Sequence, residues 1–338
     1  MKKVTTLGID LAKKVFQLHG VDSRGKRVLK KRLNRNDFTI FMANLPVCQV
    51  VMESCGGSHH WARTFRDMGH DVRLISPQFV KPFVKTNKND ANDAEAIVEA
   101  SSRPSMRFVP IKETWAQEIQ MNHRVRERLV KGRTALCNEM RGLFNEFGII
   151  MEPTISKLKN ALPDILADAD NGLSIPSRNL FSRLFSELLV LEKEIKHYED
   201  QIKIIAKNND KVKLLGQIPG IGYLTATALL AAMGSPSHFK NGRHFSAWLG
   251  LVPRQSSSGG KSKLLGISKR GDKYLRKLMV HGSRSVLIHS PKKPDKRSMW
   301  ITNKKETIGW NKTAVAVANK NARIAWAMLS SGNSFKVA

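Results

Sequence analysis

Residues Val47–Ile75 read VCQVVMESCGGSHHWARTFRDMGHDVRLI. The largely apolar run Val47–Met52 ends on Glu53, the pattern of a central buried strand. The Gly56–Gly57 pair then turns the chain into an amphipathic helix with Trp61, Phe65 and Met68 on one face, and Val72–Ile75 is a further strand. Working outward towards the N-terminus, Val4–Asp10 (VTTLGID) and Val15–Val21 (VFQLHGV) read as two strands joined by a short turn. Lys26–Leu33 is a third strand behind an SRG hairpin turn, and Asn36–Asn44 a short helix. An antiparallel meander that passes into strands alternating with helices defines an α/β domain.

Two carboxylates stand at strand ends in this reading, Asp10 and Glu53. Asp90 and Asp93 lie in KNDANDAEAIVEA, where helical i, i+3 spacing puts both on one face. Four carboxylates gathered at the carboxyl edge of a sheet would supply hard oxygen ligands for Mg2+ or Mn2+, the ions that serve phosphoryl transfer. Each alone also has an ordinary role as a turn cap, a strand-end charge or a helix cap. His59 and His60 are adjacent, so on a helix they point apart and make a poor ligand pair. Ser58 is the candidate N-cap of that helix.

Residues 111–147 read as one long helix, and 148–178, with Pro153, Pro163 and Pro176, as turns with short helices. Phe181, Leu184, Leu188, Leu191, Ile195, Tyr198, Ile202 and Ile205 then alternate in steps of three and four, an a/d seam. Such a seam packs either on its own chain's helical hairpin or on a second protomer. The expectation taken here is a homo-oligomer, dimer or tetramer.

Leu214–Gly234 (LLGQIPGIGYLTATALLAAMG) has the helix, PGIG turn and small-residue helix of a helix-hairpin-helix. Gly220 and Gly222 would let backbone N–H groups at a helix start face a phosphate, although small residues also serve close helix packing. Gly250–Lys273 (GLVPRQSSSGGKSKLLGISKRGDK) follows a short helix within Phe239–Gly250. It sets three serines before a Gly-Gly step, among Arg254, Lys261, Lys263, Lys269 and Arg270. That loop suits a hydroxyl presented to a phosphate, or is simply a solvated basic loop. Tyr274–His289 and Thr313–Leu329 are further helices, the latter an alanine-rich packing helix.

Net charge is +29, unevenly spread. Residues 1–110 carry 19 Lys and Arg against 10 Asp and Glu, residues 111–210 carry 15 against 15, and residues 211–338 carry 23 against 3. The last third points to a polyanion, with nucleic acid favoured over a membrane because no basic amphipathic helix with a bulky apolar face stands out. No apolar run approaches the roughly 20 residues that span a bilayer. Three cysteines without ligand spacing indicate neither a disulfide frame nor a zinc site, and fit a reducing cytoplasm.

GIDLAKK with Asp10, VVMES with Glu53 and KNDANDA with Asp90 and Asp93 resemble the DEDD tetrad of the RuvC-like, RNase H-fold transposases of bacterial insertion sequences. That group includes Piv-type DNA invertases and bridge-RNA-guided recombinases. PRQSSSGG resembles the group's serine motif P-R-x-x-S-G, which places Ser258 at the nucleophile position, with Ser256 and Ser257 out of register. The resemblance implies a RuvC-like α/β domain with a trailing long helix (1–146), a helical coiled-coil spacer (147–210) and an α-helical transposase domain with helix-hairpin-helix (211–338). It implies a nucleoid-associated bacterial recombinase that acts on donor and target DNA through a phosphoserine. Mg2+ or Mn2+ would sit on the tetrad, and a structured bridge RNA would guide the choice of site. Two other readings stay open from sequence: a hydrolytic junction-resolving nuclease with the same tetrad, and a non-catalytic structure-specific nucleic-acid binder.

Overall fold

A computed structural model of the chain describes residues 3–84, 90–258 and 261–336, and of residues 90, 91, 261 and 262 the backbone alone. Two compact units result, Met1–Thr114 and Trp115–Ala338. Among the described residues no helix is long and apolar enough to cross a membrane.

The first unit is a mixed α/β sheet. In chain order it contains β1 (Thr6–Leu11), β2 (Val15–Val21), β3 (Arg27–Asn34), α1 (Arg35–Asn44), β4 (Gln49–Glu53), α2 (Ser58–Asp67), β5 (Asp71–Ile75), α3 (Pro77–Val80), α4 (Asp90–Ser101) and β6 (Phe108–Val109). The strand order is β3-β2-β1-β4-β5-β6. β1, β2 and β3 form the antiparallel meander expected from the sequence, while β4 runs parallel to β1 and β5 parallel to β4. The edge strand β3 carries exposed Lys30, Lys31 and Arg32, charges that discourage edge-to-edge pairing.

Period-two alternation sorts the strand residues between two cores. Leu7, Ile9, Val50, Met52 and Leu74 pack with Phe16, Phe38, Trp61 and Phe65 on the α1/α2 side. Val51 and Ile75 face the other way, against Ala96, Ile97 and Ala100 of α4. One local detail differs from the sequence reading. Gly57, at φ 87, is the N-cap of α2, and Ser58 is the first helical residue, its hydroxyl donating to Cys55 O at 2.8 Å. A left-handed turn needed glycine there, which displaced the serine by one position.

The second unit is helical: α5 (Thr114–Asn145), α6 (Ile155–Ala167), α7 (Ile175–Lys207), α8 (Asp210–Gly216), α9 (Tyr223–Met233) and α10 (Gly242–Trp248), then the strands β7 (Pro253–Ser258) and β8 (Lys261–Ile267), then α11 (Lys273–His289), α12 (Lys296–Ile308) and α13 (Trp310–Ser331). The heptad of α7 is used within the chain. Its a positions Phe181, Leu188, Ile195 and Ile202 are buried, and Phe181 and Leu188 pack with Leu136, Met140 and Phe144 of α5. Arg126 pairs with Glu199, Arg133 with Glu192, and Phe144 stacks on Phe181 at 3.8 Å. Partners descend along α7 as they ascend along α5, so the two helices are antiparallel. Of the two homes open to the seam, this is the helical hairpin of its own chain, and the seam supplies no argument for a second protomer.

The C-terminal core gathers Ile218, Leu229, Phe245, Leu275 and Met279 around Ala318, Ala322 and Ala325 of α13. Small residues let α13 sit at the centre of the unit, as its alanine content suggested. The PGIG turn joins α8 to α9. A Cβ on Gly220 would lie 2.7 Å from Gly282 O, so this glycine is fixed by close packing on α11.

Leu188 is fully buried, and Leu188→Ala should lower stability by about 2–5 kcal/mol. The midpoint of denaturant unfolding should shift equally in dilute and concentrated protein. A shift confined to dilute protein would place the seam between protomers instead.

Candidate functional site

Asp10 and Glu53 stand at the carboxyl ends of β1 and β4, one step beyond Ile9 and Met52, the last residues these two strands pair with each other. Alternation puts Asp10 on the same face as Gly8, and Glu53 on the same face as Val51, which is the α4 side. α4 can come down on β1 because residue 8 is glycine: a Cβ there would lie 2.5 Å from Ala94 O and from Val98 Cγ2. Asp93 is the residue before that contact, so the approach delivers it to the strand ends. The electrostatics record the result. Burial, then the charge of Asp93, pushes the Glu53 carboxyl above its ordinary value. Burial, then Glu53 and Asp10, pushes the Cys55 thiol up. Three of the four carboxylates singled out from the sequence therefore share one neighbourhood. Asp90 lies in α4 one helical turn before Asp93, and its side chain falls outside the described residues.

Among the described residues no group of three or more His, Cys, Asp or Glu is already closed into a ligand set. The donor chemistry nevertheless fits a hard divalent cation, because crowded, half-buried carboxylates gain most from a positive charge between them. His59 takes no part: its Nδ1 accepts from Lys112 N at 3.2 Å, and burial, then Lys112 and Arg63, lowers it to about 4.

The serine stretch forms a two-stranded ribbon. β7 and β8 are antiparallel, with Ser256 opposite Lys263, Ser257 opposite Ser262 and Ser258 opposite Lys261. Ser258 thus ends β7 at the ribbon tip, immediately before Gly259 and Gly260, which lie outside the described residues. Every residue of β7 is exposed. Alternation puts Ser256 and Ser258 on one face and Ser257 on the other, where Ser257 Oγ accepts from Gln255 Nε2 at 2.8 Å. The ribbon sequence Pro253–Ile267 contains no acidic residue and no histidine. At its base Arg276 Nη1 donates to Leu249 O (3.2 Å) and Arg270 O (3.0 Å), and Lys269 holds φ 53 while its N–H donates to Gly250 O. Of the basic residues singled out from the sequence, Arg254 lies in β7 and Lys263 in β8, Lys269 and Arg270 follow β8 at the ribbon base, and the side chain of Lys261 falls outside the described residues.

Beside the ribbon lies a cavity of about 1480 Å³, bounded by Leu264–Ile267, α10 and α13. Its walls carry Arg243, Lys269, Lys312, Lys320 and Arg323 with no carboxylate, and Lys320 Nζ sits 4.5 Å above the Trp300 ring. Typical small-molecule pockets measure roughly 300–1,000 Å³, so this groove suits a length of polymer. Sequence reasoning named Lys269 but missed Arg243, Lys312, Lys320 and Arg323, which lie outside the serine stretch; only the excess charge of residues 211–338 hinted at them. It also missed His123, buried in the second unit between Thr227 Oγ1 and Tyr274 OH, each at 2.9 Å. Burial lowers His123 to about 4 and raises Tyr274 to about 12, so the imidazole is a neutral tie between α5, α9 and α11. Gly222 N-caps α9 and is exposed, whereas Gly220 is spent on packing.

An acidic sheet edge and a basic helical unit together define a protein that works on polyanions, and the comparisons make the class specific. Residues 7–149 match the DEDD transposase model of IS110 type, and residues 212–297 match the "Transposase IS116/IS110/IS902 family". The transposase of insertion sequence element IS1111A from Coxiella burnetii is 47% identical, over 99% of this chain and 92% of its own. A "Probable family 20 transposase" from Pseudomonas aeruginosa is 48% identical over 97% of both chains. The transposase of IS1328 from Yersinia enterocolitica is 42% identical over 99% of both. The chain belongs to the IS110/IS116 family of DEDD transposases, DNA-cleaving and rejoining enzymes of insertion sequences.

The raised Glu53 carboxyl gives a pH prediction. A folded-state value above the ordinary 4.5 means that Glu53 favours folding fully below 4.5 and loses that contribution as pH rises through the folded value. In chelator, Glu53→Gln should therefore raise the melting temperature at neutral pH, with the gain shrinking as pH falls towards 4.5. A lower melting temperature at neutral pH would show that Glu53 is held by a stabilising partner.

Proposed function

We propose that this transposase moves DNA strands through a phosphoserine at Ser258 of its second unit, and that Asp10, Glu53, Asp90 and Asp93 of an RNase H-like first unit would hold Mg2+ or Mn2+. The observation that carries the reading is the meeting of Asp10, Glu53 and Asp93 at the strand ends on the α4 side, where burial and then the charge of Asp93 push the Glu53 carboxyl up. A divalent cation held there would supply positive charge for phosphate oxygens.

Ser258 supplies the attacking hydroxyl. Its Oγ bonds to a DNA phosphorus, the P–O bond to the adjoining sugar breaks, and the leaving oxygen takes up a proton. The phosphoserine keeps the phosphodiester bond energy, so the hydroxyl of a second strand can displace Oγ, rejoin the DNA and return the proton to serine. With no carboxylate or imidazole in the ribbon, activation of the hydroxyl falls to groups outside it. The ribbon's position supports the assignment: Ser258 is at the exposed tip, whereas the Ser257 oxygen is engaged on the opposite face. The cationic groove with Trp300 supports a bound strand, since phosphates pair with Lys and Arg and bases stack on aromatic rings. By resemblance to bridge-RNA-guided recombinases, a structured RNA selects donor and target, and the protein works as a homo-oligomer.

Ser258→Ala should bind DNA as the parent does but lose strand cleavage and any denaturation-resistant protein–DNA adduct. Each of Asp10→Ala, Glu53→Ala and Asp93→Ala should lose the same activities, and excess chelator should reproduce the loss. Gel analysis of end-labelled element DNA reads both. Persistent nicking by Ser258→Ala would mean that water is the nucleophile and the chain is a nuclease. A phosphopeptide mapped to Ser256 or Ser257 would move the nucleophile along β7.

A further inference from the structure

A second cavity, of about 520 Å³, opens where the Pro219–Gly220 turn meets the end of α11 and the start of α12. Arg297, in the first turn of α12, forms part of its wall and is only 9% exposed. One of its nitrogens is engaged: Nη2 donates to Asn321 Oδ1 at 2.5 Å, and Asn321 Nδ2 donates in turn to Pro219 O at 2.9 Å. Nε and Nη1 are buried without a partner among the described residues. The carboxylate that acts on this guanidinium, Asp295, is committed elsewhere. Its Oδ1 accepts from Ser298 N (2.9 Å) and its Oδ2 from Ser298 Oγ (2.7 Å), which caps α12.

A buried charge with open donors is costly, and arginine does not escape by losing its proton. Burial accordingly pushes Arg297 down from its ordinary value. Lys292, Lys293 and His289 line the same cavity. Four basic side chains against one carboxylate already bound to its own helix make an anion site. The planar fork of arginine matches a phosphate in particular, and the volume lies in the range of roughly 300–1,000 Å³ usual for ligand sites.

We propose that this cavity is a phosphate-group site, with Arg297 as its buried donor and Lys292 and Lys293 at its rim, filled by a backbone phosphate of bound DNA. Free inorganic phosphate has the same chemistry and would fill it in the absence of DNA. The site uses neither Ser258 nor the acidic cluster; only its DNA occupant rests on the reading of the chain as a DNA-cutting transposase. Through Asn321 the bound anion is tied to Pro219 O, so its arrival is felt at the PGIG turn, where Gly220 packs on α11.

The test uses full-length Ser258→Ala protein, so that covalent chemistry does not enter. Inorganic phosphate, compared with chloride at matched ionic strength, should raise the melting temperature by several degrees. Arg297→Gln should abolish that response, yet without phosphate melt at or above the parent temperature, because a buried charge with two open donors has been removed at the loss of its contact over the Phe335 ring. Lys292→Ala with Lys293→Ala leaves the buried network intact and should reduce the response, which keeps the test decisive if Arg297→Gln does not fold. Fluorescence anisotropy with labelled duplex DNA supplies the second arm. Arg297→Gln should weaken binding about tenfold and lower the log–log salt slope by about one. A phosphate response with unchanged DNA binding would keep the anion site and overturn its DNA occupant. Equal melting in phosphate and chloride, or an Arg297→Gln protein that melts lower in both, would overturn the site and make Arg297 structural. Failure of the phosphoserine reading would alter none of these readouts.

Discussion

The contact of α4 with β1 at Gly8 is the constraint on which the acidic cluster depends. It holds negative groups together that would otherwise separate, so something must outweigh their repulsion. Like charges in a half-buried site repel more strongly than in water, because fewer solvent dipoles screen them. Against this, Val51, Ile75 and Ile97 are fully buried between the sheet and α4, each contributing about 1.5–3 kcal/mol. Apolar packing wins, and the strand ends keep a strained electrostatic arrangement that a cation would relax. Any side chain at position 8 would lift the helix and undo both terms together.

The second unit handles charge in two ways. Along α5 and α7 the cations are answered by carboxylates: Arg126 by Glu199, and Arg133 and Lys159 by Glu192. Beyond residue 210 carboxylates are scarce, and two of the three, Asp272 and Asp295, are spent on capping α11 and α12. Lys277 is answered from α5 by Glu127 and Lys213 by Asp210, while Lys and Arg without a carboxylate beside them line the groove and the Arg297 cavity.

Much of the first unit was legible because strand alternation and helix periodicity are local signals. The meander, the central strand ending on Glu53, and Asp10 and Glu53 at strand ends could all be read from the sequence. β6 could not, since two residues of edge strand carry no period. The ribbon was read as a loop because PRQSSS has no apolar alternation: both its faces are exposed, so burial left no pattern in it. The Gly-Gly step between Ser258 and Lys261 was the available hairpin signal. α12 was hidden by its polar, basic composition, and the burial of Arg297 by the absence of any local reason for it. The seam of α7 was plain, but its partner was not, because a heptad specifies a packing face and leaves open whose helix fills it.

A two-stranded sheet has two unpaired edges, and both strands of the serine ribbon are edges. Exposed backbone donors and acceptors of that kind invite another strand, and Leu264, 68% exposed, adds an apolar incentive. What deters a neighbouring copy is mutual repulsion between Arg254, Lys263 and their surroundings. Polyanions cancel that repulsion. Under the proposed reading, a polyanion drawn to Ser258 would screen that charge, so the residues that attract DNA are also the ones that guard the edges of the ribbon.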